Sequence, residues 1–239
     1  MSCAGATTSD PAAAAAPVIA IDGPAASGKG TIAQGVAAAL GYRYLDSGAL
    51  YRLVALEATR QKVATDDEPR LAALADGLDL GFDDGRIFVS GQNVTDAIRA
   101  EGVSAMASKV AILPRVRTAL LTRQHAFRAP PGLVAEGRDM GTVVFPDARL
   151  KIYLTASAEA RASRRYKQLI DKGNSITIQG LLRDIRERDE RDSARAEAPL
   201  RIAADATVLD TTDMTADAAI ARVLQQYQTL TAAGPAGCA

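Results

Sequence analysis

Gly23-Pro24-Ala25-Ala26-Ser27-Gly28-Lys29-Gly30-Thr31 is the stretch of this 239-residue chain whose types and spacing most directly specify chemistry. A glycine, four residues and then Gly-Lys lets main-chain N–H groups wrap a polyphosphate, while the lysine supplies a flexible cation for its β and γ phosphates. A helix beginning at the lysine would add its N-terminal dipole to the attraction for negative charge. A Ser or Thr usually follows that lysine; here Gly30 follows and Thr31 comes next. The chemistry implied is binding of a nucleoside triphosphate and transfer of its terminal phosphoryl group.

Other stretches suit a second phosphorylated molecule. Asp46-Ser47-Gly48-Ala49-Leu50-Tyr51-Arg52, with one carboxylate, and Glu136-Gly137-Arg138-Asp139-Met140-Gly141, with two, each include an arginine, whose planar fork matches phosphate oxygens. Arg183, Arg186, Arg188, Arg191 and Arg195 form an arginine-rich run. They alternate with Asp184, Glu187, Asp189, Glu190 and Asp192, so the run reads either as a phosphate-facing segment or as a solvated helix laced with i,i+4 pairs. Arg161, Arg164 and Arg165 face either donor phosphates or solvent. Glu136 either orients magnesium-bound water or makes a structural hydrogen bond to the glycine loop.

These groups need elements to position them. Val18-Ile19-Ala20-Ile21 is apolar without polar alternation, as expected for a central strand of a parallel sheet buried on both faces. The glycine loop follows it, then a helix from Lys29 to Leu40 ended by Gly41. Tyr42–Leu45 reads as a strand, and Asp46-Ser47 as the cap of a helix over about residues 48–61. Leu133–Ala135, Lys151–Leu154 and Thr207–Leu209 are further short apolar strands. Helices are expected at about 103–111, 114–128, 158–172, 178–195 and 215–230. Between 65 and 102 the pattern changes to a hairpin signal, Leu78–Phe82 and Arg86–Val89 around Asp83-Asp84-Gly85. The expected fold is α/β, a doubly wound parallel sheet with ligands at the carboxyl ends of its strands. Residues 17–64 and 103–232 would form this core, and 65–102 a small inserted lobe.

Composition narrows the partners. Lys plus Arg equals Asp plus Glu at 28 each, so no global field points to nucleic acid or to an anionic membrane. Residues 1–16 and 233–239 read as flexible tails poor in large apolar groups, and they hold both cysteines, Cys3 and Cys238. The one histidine, His125, has no ligating neighbours in sequence and reads as structural, so no protein-held metal site is expected. The N-terminus lacks the basic start of a signal peptide, which makes the cytoplasm the expected compartment. A monomer is the simplest assembly.

The Gly-Lys-Gly-Thr version of the loop resembles that of the nucleoside monophosphate kinases. With Asp46–Arg52, Glu136–Gly141, Val144-Phe145-Pro146-Asp147-Ala148 and the run from Arg183 to Arg201, the chain resembles the bacterial-type cytidylate kinase family over about residues 17–230. That resemblance implies a P-loop kinase core, an NMP-binding lobe and a helical lid at about residues 174–196. It implies transfer from ATP, carried with Mg2+, to CMP or dCMP. Residues 23–31 would hold ATP, with Lys29 catalytic. Ser108, Arg117 and Asp139 would read the cytosine, Arg188 and Asp192 would hold the sugar, and Arg52, Arg138 and Arg195 would clamp the acceptor phosphate. Arg138, Arg188 and Arg195 would also serve the transfer, and Ser47 and Tyr51 would lie beside the acceptor. The family often carries Asp where this chain has Glu136. A carboxylate accepting from the cytosine amino group disfavours uracil, which presents an acceptor there.

Overall fold

The computed structural model describes residues 16–83, 85–170 and 176–232. From the first described residues, β1 (Val18–Asp22) leads through the glycine loop to α1 (Lys29–Leu40), then to β2 (Arg43–Asp46) and α2 (Ser47–Arg60). Next come α3 (Glu68–Gly77), β3 (Leu80–Asp83), β4 (Arg86–Val89), β5 (Gln92–Asn93), a 3-10 turn at Ala97–Arg99, α4 (Glu101–Val110) and α5 (Pro114–Ala126). The chain continues through β6 (Leu133–Gly137), a π-helical turn at Met140–Val144, β7 (Leu150–Thr155), α6 (Ala158–Ile170), α7 (Ile178–Ser193), β8 (Thr207–Asp210) and α8 (Ala216–Ala232).

Five strands form a parallel sheet in the order β2-β6-β1-β7-β8, with β1 central as its unbroken apolar run predicts. Successive β1 side chains serve opposite faces, as a period of two requires. Val18 and Ala20 pack with α2, α4 and α5, whereas Ile19 and Ile21 pack with Ile32 and Val36 of α1 and Val223 of α8. The sheet is therefore sandwiched between helices. The registers align the carboxyl ends: Asp46 lies beside Glu136, Glu136 beside Ile21, and Asp22 beside Tyr153. Every loop that carries a motif leaves from this edge.

The segment 65–102 differs from its expected form. Its hairpin is present as β3 and β4 in an antiparallel sheet that also includes β5; Asp84, in the expected turn, lies outside the described residues. The segment also contains an unexpected helix, α3. The Asp67 side chain accepts from the Arg70 N–H at 3.2 Å, Pro69 sits in the first turn, and Leu71 and Ala75 are fully buried. These are standard helix-start signals in a ten-residue helix whose buried face, Leu71 and Ala75, is too short for a period to stand out. Leu71, Leu78, Val89 and Ile98 share one apolar cluster with Leu50, Leu53 and Val110, so the segment packs directly on the α2–α4 layer.

Candidate active site

The glycine loop is shaped by two backbone requirements. At Gly23 (φ 151°) a Cβ would lie 2.0 Å from the Leu154 carbonyl oxygen, so only glycine lets β1 turn away against β7. Gly28 (φ 90°) turns the chain into α1, and Ala26 also takes a left-handed φ of 57°. Lys29, in the first turn of α1, is buried, and its Nζ donates to the Pro24 carbonyl at 2.7 Å and to Ser27 Oγ at 3.3 Å. Burial, then the Arg138 charge, push its pKa down to about 7, with Glu136 pulling the other way.

Gly30 makes room for Glu136. A Cβ at position 30 would lie 3.1 Å from Glu136 Oε1 and 3.8 Å from the Tyr44 hydroxyl. The Tyr44 hydroxyl donates to that same Oε1 at 2.5 Å. The carboxylate expected either at magnesium-bound water or at the loop thus has one oxygen held by Tyr44 against the loop backbone. Burial, then the Asp46 charge, raise Glu136 to about 7.

Two further contacts tie neighbouring strand ends together. Ser47 Oγ donates to the Glu136 carbonyl at 2.7 Å, and a Cβ at Gly137 would lie 2.6 Å from that hydroxyl oxygen, which accounts for a glycine there. Asp22, at the end of β1, accepts from the N–H groups of Met140 and Gly141, each at 2.8 Å. Asp139 is thereby placed by the residue that precedes the glycine loop. Burial raises Asp22 to about 6 despite those two donors.

Asp139 is buried and ion-paired with Arg117 of α5. Arg117 also donates to the Tyr51 hydroxyl at 3.2 Å and to the Ala111 carbonyl at 3.3 Å. Ser108 of α4 is buried there with its hydroxyl lacking a partner among the described residues. A carboxylate, a guanidinium and a free hydroxyl on one wall form a mixed donor and acceptor surface suited to the edge of a base.

Arginines line the floor. Arg52 donates to Asp46 Oδ2 at 2.6 Å, while Asp46 Oδ1 caps α2 through the Ala49 N–H. Arg138 and Arg195 both pair with Asp192, which has no exposure at all. Arg188 faces the same cavity, and burial, then the neighbouring Arg138, lower it to about 10. The Nε atoms of Arg52, Arg188 and Arg195 are buried without partners among the described residues. Arg52, Arg138, Arg188 and Arg195 all line one cavity, and such a concentration of guanidinium donors suits an anion.

One cavity of about 440 Å³ joins these walls. Eight cationic side chains line it, Lys29, Arg52, Arg117, Arg138, Arg164, Arg165, Arg188 and Arg195, against three carboxylates, Asp46, Glu136 and Asp139. It also takes in Ala25, Ala26, Ser27, Gly28, Gly30, Thr31, Ser47, Tyr51 and Ser108. Gly23, Pro24 and Asp192 do not line it. Gly23 packs on β7, Pro24 presents its carbonyl to Lys29, and Asp192 lies beneath the arginines it pairs with. The arginine-rich run divides between its two readings: Arg188 and Arg195 face the cavity, whereas Arg186 is exposed and pairs with Glu159.

A further wall was not foreseen. Thr211, Met214 and Thr215, between β8 and α8, and Ala216 at the start of α8 line the cavity with Arg164 and Gln168 of α6. Arg164 donates to Thr211 Oγ1 at 3.2 Å and to the Thr212 carbonyl at 3.3 Å. The signal for this wall was positional, since the loop leaves the carboxyl end of a parallel strand. β8 and β2 occupy opposite edges of the sheet with β1 between them, so this wall and the Ser47 wall flank the glycine loop.

A family model and curated relatives point to the same family. The family model described as cytidylate kinase matches residues 19–229. A protein of Chromobacterium violaceum named Cytidylate kinase is 56% identical over 218 residues, covering 91% of this chain and 98% of that one. Its namesake in Burkholderia multivorans is 58% identical over 214 residues, covering 90% and 94%. That of Bordetella bronchiseptica is 59% identical over 216 residues, covering 90% and 97%. Matched along nearly its whole described length, the chain belongs to the cytidylate kinase family.

Proposed function

We propose that the protein transfers the γ-phosphoryl group of ATP to CMP or dCMP, giving ADP with CDP or dCDP. The observation that carries the reading is the joining, in one cavity, of the glycine–lysine loop to the buried Arg117–Asp139 pair across a floor of arginines. The names of the relatives agree with it.

In this scheme residues 23–31 cradle the ATP phosphates, and the donor base lies along the wall formed by Arg164, Gln168 and Met214–Ala216. The cytosine amino group donates to Asp139, Arg117 donates to the ring nitrogen and carbonyl, and Ser108 completes the edge. Arg188 serves the sugar, Asp192 acts from beneath through Arg138 and Arg195, and Arg52, Arg138 and Arg195 clamp the acceptor phosphate. No general base is needed, because a phosphate monoester with a second pKa of about 6 is mostly dianionic at neutral pH. One of its oxygens forms a bond to the γ phosphorus as the bond from that phosphorus to the β–γ bridging oxygen breaks, and ADP leaves with the electron pair. Lys29, Arg138, Arg188 and Arg195 spread the moving charge.

Magnesium arrives with the ATP phosphates. The chain offers it oxygen donors of the right hardness, the carboxylate of Glu136 and the hydroxyl of Thr31, both on the cavity wall near Lys29. When bound, the ion neutralises phosphate charge, and these two residues would hold its water shell. The segment at about residues 174–196, which contains α7 and whose first two residues lie outside the described part, acts as the lid. Residues 65–102 belong with the acceptor side.

All assigned side chains come from one chain, so a monomer suffices. Among the described residues no helix is long and apolar enough to cross a membrane. A cytoplasmic enzyme with small-molecule substrates and no nucleic-acid partner fits this scheme. Omission of CMP from a reaction of ATP and magnesium should remove nearly all ADP formation; equal ADP formation without an acceptor would overturn the reading.

A further inference from the structure

Arg161 lies outside the cavity, on the first turn of α6, and is buried. Its guanidinium touches three separate parts of the protein. Nη1 donates to the carbonyl of Ala25 in the glycine loop at 3.1 Å, and Nε donates to the carbonyl of Ala156, just beyond β7, at 3.0 Å. Nη2 pairs with Asp189 Oδ2 on α7 at 2.6 Å.

A second contact runs beside the first. Leu181 and Ile185 of α7 pack on Ala162 of α6, and Ala26 of the glycine loop joins that cluster. Ala26 is the loop residue held in a left-handed conformation, which a residue bearing a Cβ adopts only when its surroundings hold it there. Adjacent loop residues therefore meet α7 in two chemically different ways, Ala25 through Arg161 and Asp189, and Ala26 through apolar packing. Asp189 also keeps Oδ1 buried without a partner among the described residues, an arrangement that a surface pair free to rotate into water would not keep.

From this geometry we infer that Arg161 is a positioning residue which, through Asp189, sets α7 against the glycine loop. Occupancy of the loop by donor phosphates is thereby coupled to the placement of Arg188 and Asp192, which flank Asp189 in sequence. A planar guanidinium can serve three acceptors in fixed directions, and a lysine ammonium cannot reproduce that fork. The inference rests on the proposed transfer reaction for its kinetic consequence, but its structural consequence stands apart from it.

The test uses the full-length protein and the variants Asp189→Asn, Asp189→Glu, Arg161→Lys and the double variant Arg161→Lys/Asp189→Asn. Steady-state kinetics with ATP and CMP are paired with hydrogen exchange of α7 with and without ATP. Asp189→Asn is expected to lower kcat by about tenfold to a hundredfold, as a misplaced catalytic group does, with KM for ATP changed less than about threefold. Asp189→Glu should recover part of the loss, and the double variant should be no worse than the more impaired single one. ATP should protect the amides of α7 in the wild type and much less in Asp189→Asn. A purely structural pair would lower Tm while leaving kcat and the ATP-dependent protection as in the wild type, and either result would overturn the inference. If the wild type fails to use CMP, the transfer reading falls, while the exchange arm still decides whether Asp189 links α7 to the loop.

Discussion

Arg138 Nε lies 2.7 Å from Oδ2 of Asp192, a carboxylate with no exposure, so a cavity-lining cation is held from beneath by a counter-charge that does not itself line the cavity. Arg195 shares the other oxygen. Burial alone would raise the Asp192 pKa, but Arg138 and Arg195 hold it below the ordinary carboxylate range. In Asp192→Ala both arginines lose their partner in a buried setting, a loss of about 3–5 kcal/mol. Tm should fall by about 10 °C. Saturating CMP, whose phosphate would replace the missing charge, should restore more Tm in the variant than it adds to the wild type. Thermal unfolding with and without CMP checks this; equal CMP shifts in both proteins would contradict it.

Lys29 provides a prediction with a definite sign. With its pKa down near about 7, Lys29 is largely neutral in the free protein at pH 8, and bound phosphates favour its charged form. ATP binding at pH 8 should therefore take up close to one proton, about one per site, measurable by calorimetry in buffers of different ionisation enthalpy. Lys29→Met should remove that uptake and most of the turnover. The same shift makes the unfolded chain the stronger proton binder between about 7 and the ordinary lysine value of 10.5, so Lys29 contributes more to stability as pH rises through that window. The Tm advantage of Lys29→Met over the wild type should be larger at pH 6.5 than at pH 9.5.

Gly30 and Glu136 should behave as a matched pair. The 3.1 Å approach means that Gly30→Ala must push the Glu136 carboxylate, which the Tyr44 hydroxyl holds, by a few tenths of an ångström. A loss of activity of about tenfold is expected from so small a shift beside the phosphate loop. Glu136→Asp, one methylene shorter, should relieve the crowding, so the double variant should exceed Gly30→Ala in kcat/KM. A double variant no better than Gly30→Ala would show that the contact does not set the loop.

Much of this arrangement was legible in the residues. The buried run at Val18–Ile21 placed β1 at the centre of the sheet, and the Gly-Lys spacing placed Lys29 at the start of a helix, because both patterns follow from backbone geometry. α3 was missed although Asp67 and Pro69 mark its start, because its buried face amounts to Leu71 and Ala75. The Thr211–Ala216 wall was missed because it consists of small and apolar side chains with no charge signature, and only its place after β8 marks it. The arginines of α6 could not be sorted by type: Arg161 is buried, Arg164 reaches Thr211, and Arg165 reaches Glu101. Their directions depend on how α6 rolls against α7, a tertiary property. Gly30 was visible as a departure from pattern, but its reason, the carboxylate across from it, appears only in three dimensions.

The most direct measurement is ADP formation from ATP and magnesium with CMP, dCMP, UMP or AMP supplied singly, on the wild type and on Asp139→Ala. Turnover is expected with CMP and dCMP, with poor use of UMP and AMP, and in Asp139→Ala the preference for CMP over UMP should fall by about 1–3 kcal/mol, on the order of tenfold to a hundredfold. Equal use of CMP and UMP by the wild type, or an unchanged preference in the variant, would contradict the assignment of the Arg117–Asp139 wall to the cytosine.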